Sequence, residues 1–227
     1  MLQNPVAPGV ASLCLAEHQT QGRGRRGNAW QSEHGRNILM SLGWSFNTWP
    51  SSLSGLSLMV GMVVAEHLRA HYSLNVMVKW PNDLMLGNNK LGGILIELAG
   101  DAGSQCQVVI GLGLNVDQST VDEDDASYAW TDLKTQGVMP DRNQLVGQIA
   151  RELIAALQGF ELDGFTRLVP LWPEYSSYAG KRIKVGAGNN PVTGIMSGVD
   201  EHGALLLLDD HGHTHRFDDS AVHVRLI

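Results

Sequence analysis

The chain has 227 residues and a formal net charge of −7, a length that allows one main domain with a smaller appendage and a core that stands without disulfide staples. The acidic balance argues against a general nucleic-acid or anionic-membrane surface. Cys14 and Cys106 lie far apart with no paired spacing, which argues against a disulfide framework or a zinc site and favours a reducing compartment. Met1 to Cys14 places no basic cluster ahead of an apolar run, so no secretory signal is read and the expected location is cytoplasmic.

In chain order, Ala11 to Ala16 reads as a strand entering a Gly/Arg loop, and Asn37 to Trp44 as a second apolar strand after it. Asn37 to Ala65 has no charged side chain, yet Asn47, Pro50 and several serines interrupt it, so it reads as core and not as a membrane span. Leu56, Met59, Val60, Val63, Val64 and Leu68 recur at helical spacing and predict a mostly buried helix, with Glu66, His67 and Arg69 only at its end. Val76 to Trp80 is a strand stopped by Pro81; Leu91 to Leu98 and Cys106 to Val116 are β-rich runs joined through Ala99 to Gln105 as an antiparallel hairpin. Asp141 caps a helix whose Leu145, Ile149, Leu153, Leu157 and Phe160 form one apolar stripe, and Phe165 to Trp172 predicts another helix. From Tyr175 onward the texture becomes short β runs (Arg182–Val185, Val192–Val199, Ala204–Leu208, His213–Phe217, Val222–Leu226) split by Gly/Asn/Asp turns, the pattern of a small barrel. The expected organisation is therefore residues 1–174 as one domain and 175–227 as a second.

Four segments carry chemistry. Between Gln19 and Trp30, Gly22, Gly24 and Gly27 free the backbone while Arg23, Arg25 and Arg26 crowd one loop. The literal G-x-G-x-x-G match fails as a dinucleotide fingerprint, because no apolar helix follows and Glu33 comes too early for a ribose acid; no Gly-Lys-Ser/Thr of a P-loop occurs either. Clustered guanidiniums repel, so such a loop suits a clamp ordered by a polyanion such as triphosphate; the bland alternative is a solvated basic turn. Lys79-Trp80-Pro81-Asn82-Asp83 gathers an amine, an amide and a carboxylate at a strand end, against the alternative of a surface ion pair. Lys90 opens Lys90-Leu91-Gly92-Gly93-Ile94-Leu95, where two glycines in a strand signal close approach by a ligand or backbone. In Gly111-Leu112-Gly113-Leu114-Asn115 small residues alternate, so one face is open beside Asn115, unless close sheet packing accounts for it.

Together, in this order, these segments resemble the biotin protein ligase family, from about Leu15 to Leu226, with Lys-Trp-Pro-Asn-Asp the most specific piece. The resemblance implies an α+β fold, a mixed and largely antiparallel sheet with helices of the class II aminoacyl-tRNA synthetase-like kind, followed by a small SH3-like β-barrel. It implies ATP-dependent formation of biotinyl-5'-AMP, then transfer of biotin to one lysine of a biotin carboxyl carrier protein, with ATP and Mg²⁺ required. Arg23, Arg25, Arg26, Gln19, Gly22, Gly92 and Gly93 would surround biotin and the phosphates, with Lys90, Arg25 and Arg23 catalytic. Trp30 would lie against adenine, and Lys79, Asn82, Asp83 and Asn115 would hold the nucleotide; no metal ligand is assigned.

In the family an Asp/Glu-Ser-Thr-Asn motif that binds biotin's ureido ring precedes the glutamine matched by Gln19; counted back, it would fall ahead of Met1. Where the family often has Gly-Glu, this chain reads Asp218-Asp219-Ser220, and no site residue is carried over from there. No helix-turn-helix precedes the catalytic region, so DNA is not an expected partner, and the acidic net charge leaves a membrane unexpected as well; a homodimer through an exposed sheet edge is allowed. Two rival readings are a lipoate ligase-like enzyme and a catalytically impaired biotin-binding or interaction protein. His211, His213 and His215 alternate and could share a face toward a metal, although solvated turn histidines are the simpler reading.

Overall fold

The computed structural model describes residues 6–47, 50, 53–99, 106–118, 129–186, 191–218 and 223–227. The expected hairpin connection at 100–105, together with Asp219, Ser220 and Val222, lies outside them.

A six-stranded sheet holds the strands in the order β1-β2-β6-β5-β4-β3. These are β1 (Ala11–Ala16), β2 (Ile38–Phe46), β3 (Val76–Lys79), β4 (Asp83–Leu86), β5 (Asn89–Ala99) and β6 (Cys106–Leu114). Every named pair in it is antiparallel. Strand β4 lies in a stretch for which the sequence predicts no strand. One sheet face is covered by α1 (Leu53–Tyr72) and α2 (Arg142–Asp163). Helix α1 is apolar nearly all round, with Leu56, Leu58, Val60, Val64, Ala65 and Leu68 wholly buried, as a helix sandwiched inside a fold must be. By length and composition alone it could also cross a membrane, but most of it is buried in the fold, as the reading of this stretch as core expects. Helix α2 begins as expected: the Asp141 carboxylate accepts the N–H groups of Asn143 and Gln144.

The helix expected over Phe165 to Trp172 is a 3₁₀ segment, Thr166–Leu171, running into the four-residue helix α3, Trp172–Tyr175. Pro170 lies inside it, and a proline without an N–H cannot carry a regular α-helical ladder. Tyr175 ties this segment back to α1: its hydroxyl donates to Glu66 at 2.8 Å, and the Arg69 guanidinium lies 4.5 Å from its ring. Burial and the Glu66 carboxylate push that hydroxyl's pKa up to about 12.

A five-stranded antiparallel sheet follows in the order β10-β9-β8-β7-β11, from β7 (Arg182–Gly186), β8 (Val192–Val199), β9 (Leu205–Leu208), β10 (Thr214–Phe217) and β11 (His223–Leu226). Aspartates build its turns. Asp200 accepts the N–H groups of His202 and Ala204 and binds Arg216 Nε at 2.6 Å; burial raises its pKa, but these donors outweigh burial and lower it. Asp209 accepts His215 Nε2 at 2.7 Å and the N–H groups of His211 and His213, which hold its carboxyl well below the usual range. The alternating histidines thus gather on a carboxylate.

The two sheets share a continuous apolar core, from Ile38 to Val224. At the junction Trp80 Nε1 donates to Gly203 O at 2.9 Å and Gly55 N to His202 O at 3.0 Å. Gly203 has φ +77°, and a Cβ there would meet Gly55 N at 2.5 Å, so only glycine fits.

Candidate active site

The open face of the six-stranded sheet, the Gly/Arg loop and the end of β11 enclose a cleft of about 800 Å³. Its floor follows from strand parity, because successive residues of a strand face opposite sides. On β6, Val108, Ile110, Leu112 and Leu114 point into the helix-side core, which leaves Gly111 and Gly113 on the cleft side. On β5, Gly93, Leu95 and Glu97 face the cleft. A side chain at Gly113 would put its Cβ 2.4 Å from the Trp30 ring, and one at Gly93 would come within 3.2 Å. The two glycines are the bed on which Trp30 lies. Its indole N–H is buried there without an acceptor among the described residues.

The same parity corrects one expectation. Gly92 cannot share the cleft with Gly93: a Cβ on it would meet Gly113 O at 2.7 Å and the Leu84 and Leu114 side chains, so Gly92 permits close strand approach on the core side. Gly22 also lies outside the cleft lining; a Cβ there would meet Trp30 O at 2.4 Å, which makes it the closing point of the loop.

Parity alone would also point Lys90 away from the cleft, along with Gly92. The β4–β5 ladder slips between Leu84 and Met85, where Leu84 pairs with Gly92 but Met85 with Lys90, leaving Leu91 as an extra residue. A bulge of one residue reverses the facing of what precedes it. Lys90 Nζ accordingly comes within 3.5 Å of the Cβ position of Gly93. It pairs there with Asp83 Oδ1 at 2.6 Å and sits 5.7 Å from the Trp30 ring. Asn82 donates its amide to Ile94 O at 2.8 Å. Lys79, 4% exposed, ends β3 with Nζ 5.9 Å from the Tyr178 ring. Asn115 is buried, its side chain donating to Thr131 O and its N–H to Leu91 O.

The opposite wall is the loop. Trp30 N bonds Gly22 O at 2.9 Å and Gly24 N bonds Asn28 O at 2.7 Å, so the loop is already a small hairpin where the sequence suggests order only on meeting a polyanion. At its tip Arg25–Gly27 forms one 3₁₀ turn, in which Arg26 takes φ 59°, ψ 27°. The three guanidiniums engage separate elements: Arg23 with Glu97 at 3.1 Å, Arg25 with Asn82 Oδ1 at 3.5 Å, and Arg26 with the His223 ring at 3.4 Å. All three line the cleft, as do Lys90, Gln19, Trp30, Lys79, Asn82, Asp83, Gly93 and Asn115.

Sequence reasoning did not find Glu97, His223 and Arg225, nor the buried amides Asn37 and Gln118, the second of which lines the cleft. Asn37 donates to Gln118 and accepts from Val116 N, while Gln118 N donates to Asp132 at 2.8 Å. For Glu97 a signal existed, since it shares the parity of Gly93 and Leu95.

Comparison with known proteins identifies relatives of the whole chain. Residues 7–115 match the Biotin/lipoate A/B protein ligase family, and residues 178–223 match the Biotin protein ligase C terminal domain. The chain is 42% identical over 197 residues to the bifunctional ligase/repressor BirA of Escherichia coli, covering 87% of this chain and 61% of that protein. It is 33% identical over 200 residues to the biotin--[acetyl-CoA-carboxylase] ligase of Mycobacterium tuberculosis, covering 86% and 72%. A solved biotin protein ligase from Aquifex aeolicus, in complex with biotin and ATP, superimposes with a TM-score of 0.82 at 25% identity, covering 100% of this chain and 93% of that one.

Proposed function

The chain belongs to the biotin protein ligase family, and from that premise we propose that it joins biotin to ATP as biotinyl-5'-AMP and passes the biotinyl group to a lysine of a biotin carboxyl carrier protein. The observation that carries this reading is the convergence of Arg23, Arg25, Arg26 and Lys90 on one cleft beside an aromatic ring bedded on glycines. The chain spans 61–62% of the length of the BirA relatives it matches, so it is the reaction of this part that is proposed.

A carboxylate is a poor electrophile. In the proposed first step a carboxylate oxygen of biotin attacks the α-phosphorus of ATP, the bond to the β-phosphate oxygen breaks, and pyrophosphate leaves. Negative charge grows on the α-phosphoryl oxygens and the leaving group, where preorganised cations stabilise it most. Lys90 suits that position because Asp83, at 2.6 Å, holds its ammonium aimed into the cleft. The arginines offer planar forks for phosphate oxygens once they exchange their present partners. In the second step the carrier's amine attacks the acyl carbon, AMP leaves, and no covalent enzyme intermediate is needed. Trp30, its ring bedded on Gly93 and Gly113 and lining the cleft, suits a face against the adenine ring.

Magnesium enters this reading as a companion of the triphosphate, whose oxygens and water it prefers to an all-protein cage. The cleft carboxylates Asp83 and Glu97 are each held by a cation, Lys90 and Arg23, which fits an ion carried in with the nucleotide. We place the reaction in the cytoplasm, where the free thiols of Cys14 and Cys106 are at home. Biotin-dependent exchange of labelled pyrophosphate into ATP, followed by avidin blotting of a carrier domain, tests the reading. Exchange with lipoate and not biotin would make it a lipoate ligase; biotin binding with no exchange would make it a binder.

A further inference from the structure

We propose that His67, His71 and Glu152 form a binding site for a divalent transition metal of the zinc class, outside the cleft, that clamps α1 to α2. None of the three lines the cleft, and nothing in the adenylation chemistry uses them.

His67 and His71 lie four residues apart near the end of α1, so one helical turn brings both imidazoles onto the same face. Their ring centroids are 4.4 Å apart, tilted by 36°. Glu152 reaches across from α2 and puts its two carboxylate oxygens 3.0 and 3.1 Å from His67 Nδ1. One donor atom from each residue lies within 4.8 Å of the others. Donors on a tetrahedral ion with bonds of about 2.0–2.2 Å sit about 3.3–3.6 Å apart, so small side-chain rotations close the set.

The supporting backbone is stiff: Ala65, Leu68, Ile149 and Leu153, the neighbours of these residues on the two helices, are buried in the core. A site held on two packed helices keeps its geometry better than one on loops. Two imidazoles and one carboxylate select zinc, nickel or cobalt over magnesium or calcium, which prefer oxygen alone. The C-terminal end of α1 adds the negative end of its helix dipole. His67 is wholly buried, whereas the Glu152 side chain is 33% exposed and His71 is exposed. An ion thus has an entry path, and water can fill its fourth position. By contrast, His211, His213 and His215 share Asp209 through backbone and ring contacts and form no such three-donor group among the described residues.

The test titrates the chelator-stripped full chain with zinc chloride by calorimetry, with magnesium chloride as control, and follows thermal unfolding at each zinc concentration. One zinc per chain is expected, with a melting temperature that climbs as zinc is added and does not respond to magnesium. His71→Ala, at an exposed position, should leave the metal-free melting temperature in place. It should weaken zinc binding by more than the roughly 10–100-fold typical of losing an outer-shell partner. Glu152→Gln should weaken it in the same direction, and pyrophosphate exchange should be unchanged in both variants. Absence of saturable zinc uptake overturns the proposal, as does uptake that survives His71→Ala or that is abolished instead by His213→Ala.

Discussion

The two walls of the cleft are made of opposite materials. On one side stand β5, β6 and the end of β3, where Lys79 and Asn115 are buried and the strands are paired in antiparallel ladders. On the other lies a short hairpin from Gly22 to Trp30 joined across its strands by two backbone bonds, its arginines half-buried or exposed and engaged by a half-buried carboxylate, an amide and an imidazole. The difference separates two requirements of phosphoryl chemistry. Groups that act on a reacting atom must be held to a fraction of an ångström, which a sheet does. Groups that close over a substrate must first let it in, and weak, exchangeable partners allow that.

The sheet wall is where substitution should cost most. Lys90→Ala is expected to lower kcat for pyrophosphate exchange by about 10²–10³-fold, the scale of removing one preorganised donor from developing charge, while biotin affinity changes far less. Loss of binding with kcat retained would move Lys90 from chemistry to docking. Gly113→Ala should come next. Its Cβ would lie 2.4 Å from the Trp30 ring, so the ring has to leave its bed. A displacement of an ångström in such a site costs up to about 10²-fold, and here it should appear in KM for ATP and in the indole fluorescence, with the far-ultraviolet circular dichroism unchanged. A variant with wild-type kinetics would show that the glycine bed serves packing alone.

Those two positions also show what a sequence can carry. The motifs are legible because each is local: Lys79 to Asp83, Lys90 to Gly93 and Gly111 to Asn115 lie within short runs, and of their expected site residues Lys79, Asn82, Asp83, Lys90, Gly93 and Asn115 line the cleft while Gly92 does not. Gly92 and Lys90 needed information that no run holds, namely the register of β5 against β4 and the extra residue at Leu91 that turns Lys90 inward. Strand β4 has no expectation in the sequence because its four residues, soon after a proline, carry too little periodicity. The helix over Phe165 to Trp172 was expected from apolar spacing, while Pro170 set the local geometry. Glu97 and His223 were missed for a different reason: each matters through an arginine more than seventy positions away.

The smallest expected effect sharpens the contrast on the loop side. Among the described residues, Arg26 and Ser73 are the non-glycine positions with positive φ, and Arg26 stands at the loop tip. The left-handed conformation costs a residue bearing a Cβ about 1–2 kcal/mol. Glycine avoids that cost but loses about 0.5–1 kcal/mol through the entropy of its unfolded chain. Arg26→Gly and Arg26→Ala both remove the guanidinium and its contact with His223, so their activities should fall together. Their stabilities should part, the glycine variant being firmer by about 0.5–1 kcal/mol, which for a chain of this size is a melting temperature about 1–4 °C higher. Equal melting would mean that the tip relaxes out of this conformation in solution. A higher glycine value would mean that the loop wall stores strain which the sheet wall does not, and that this strain is available when the tip rearranges around phosphate.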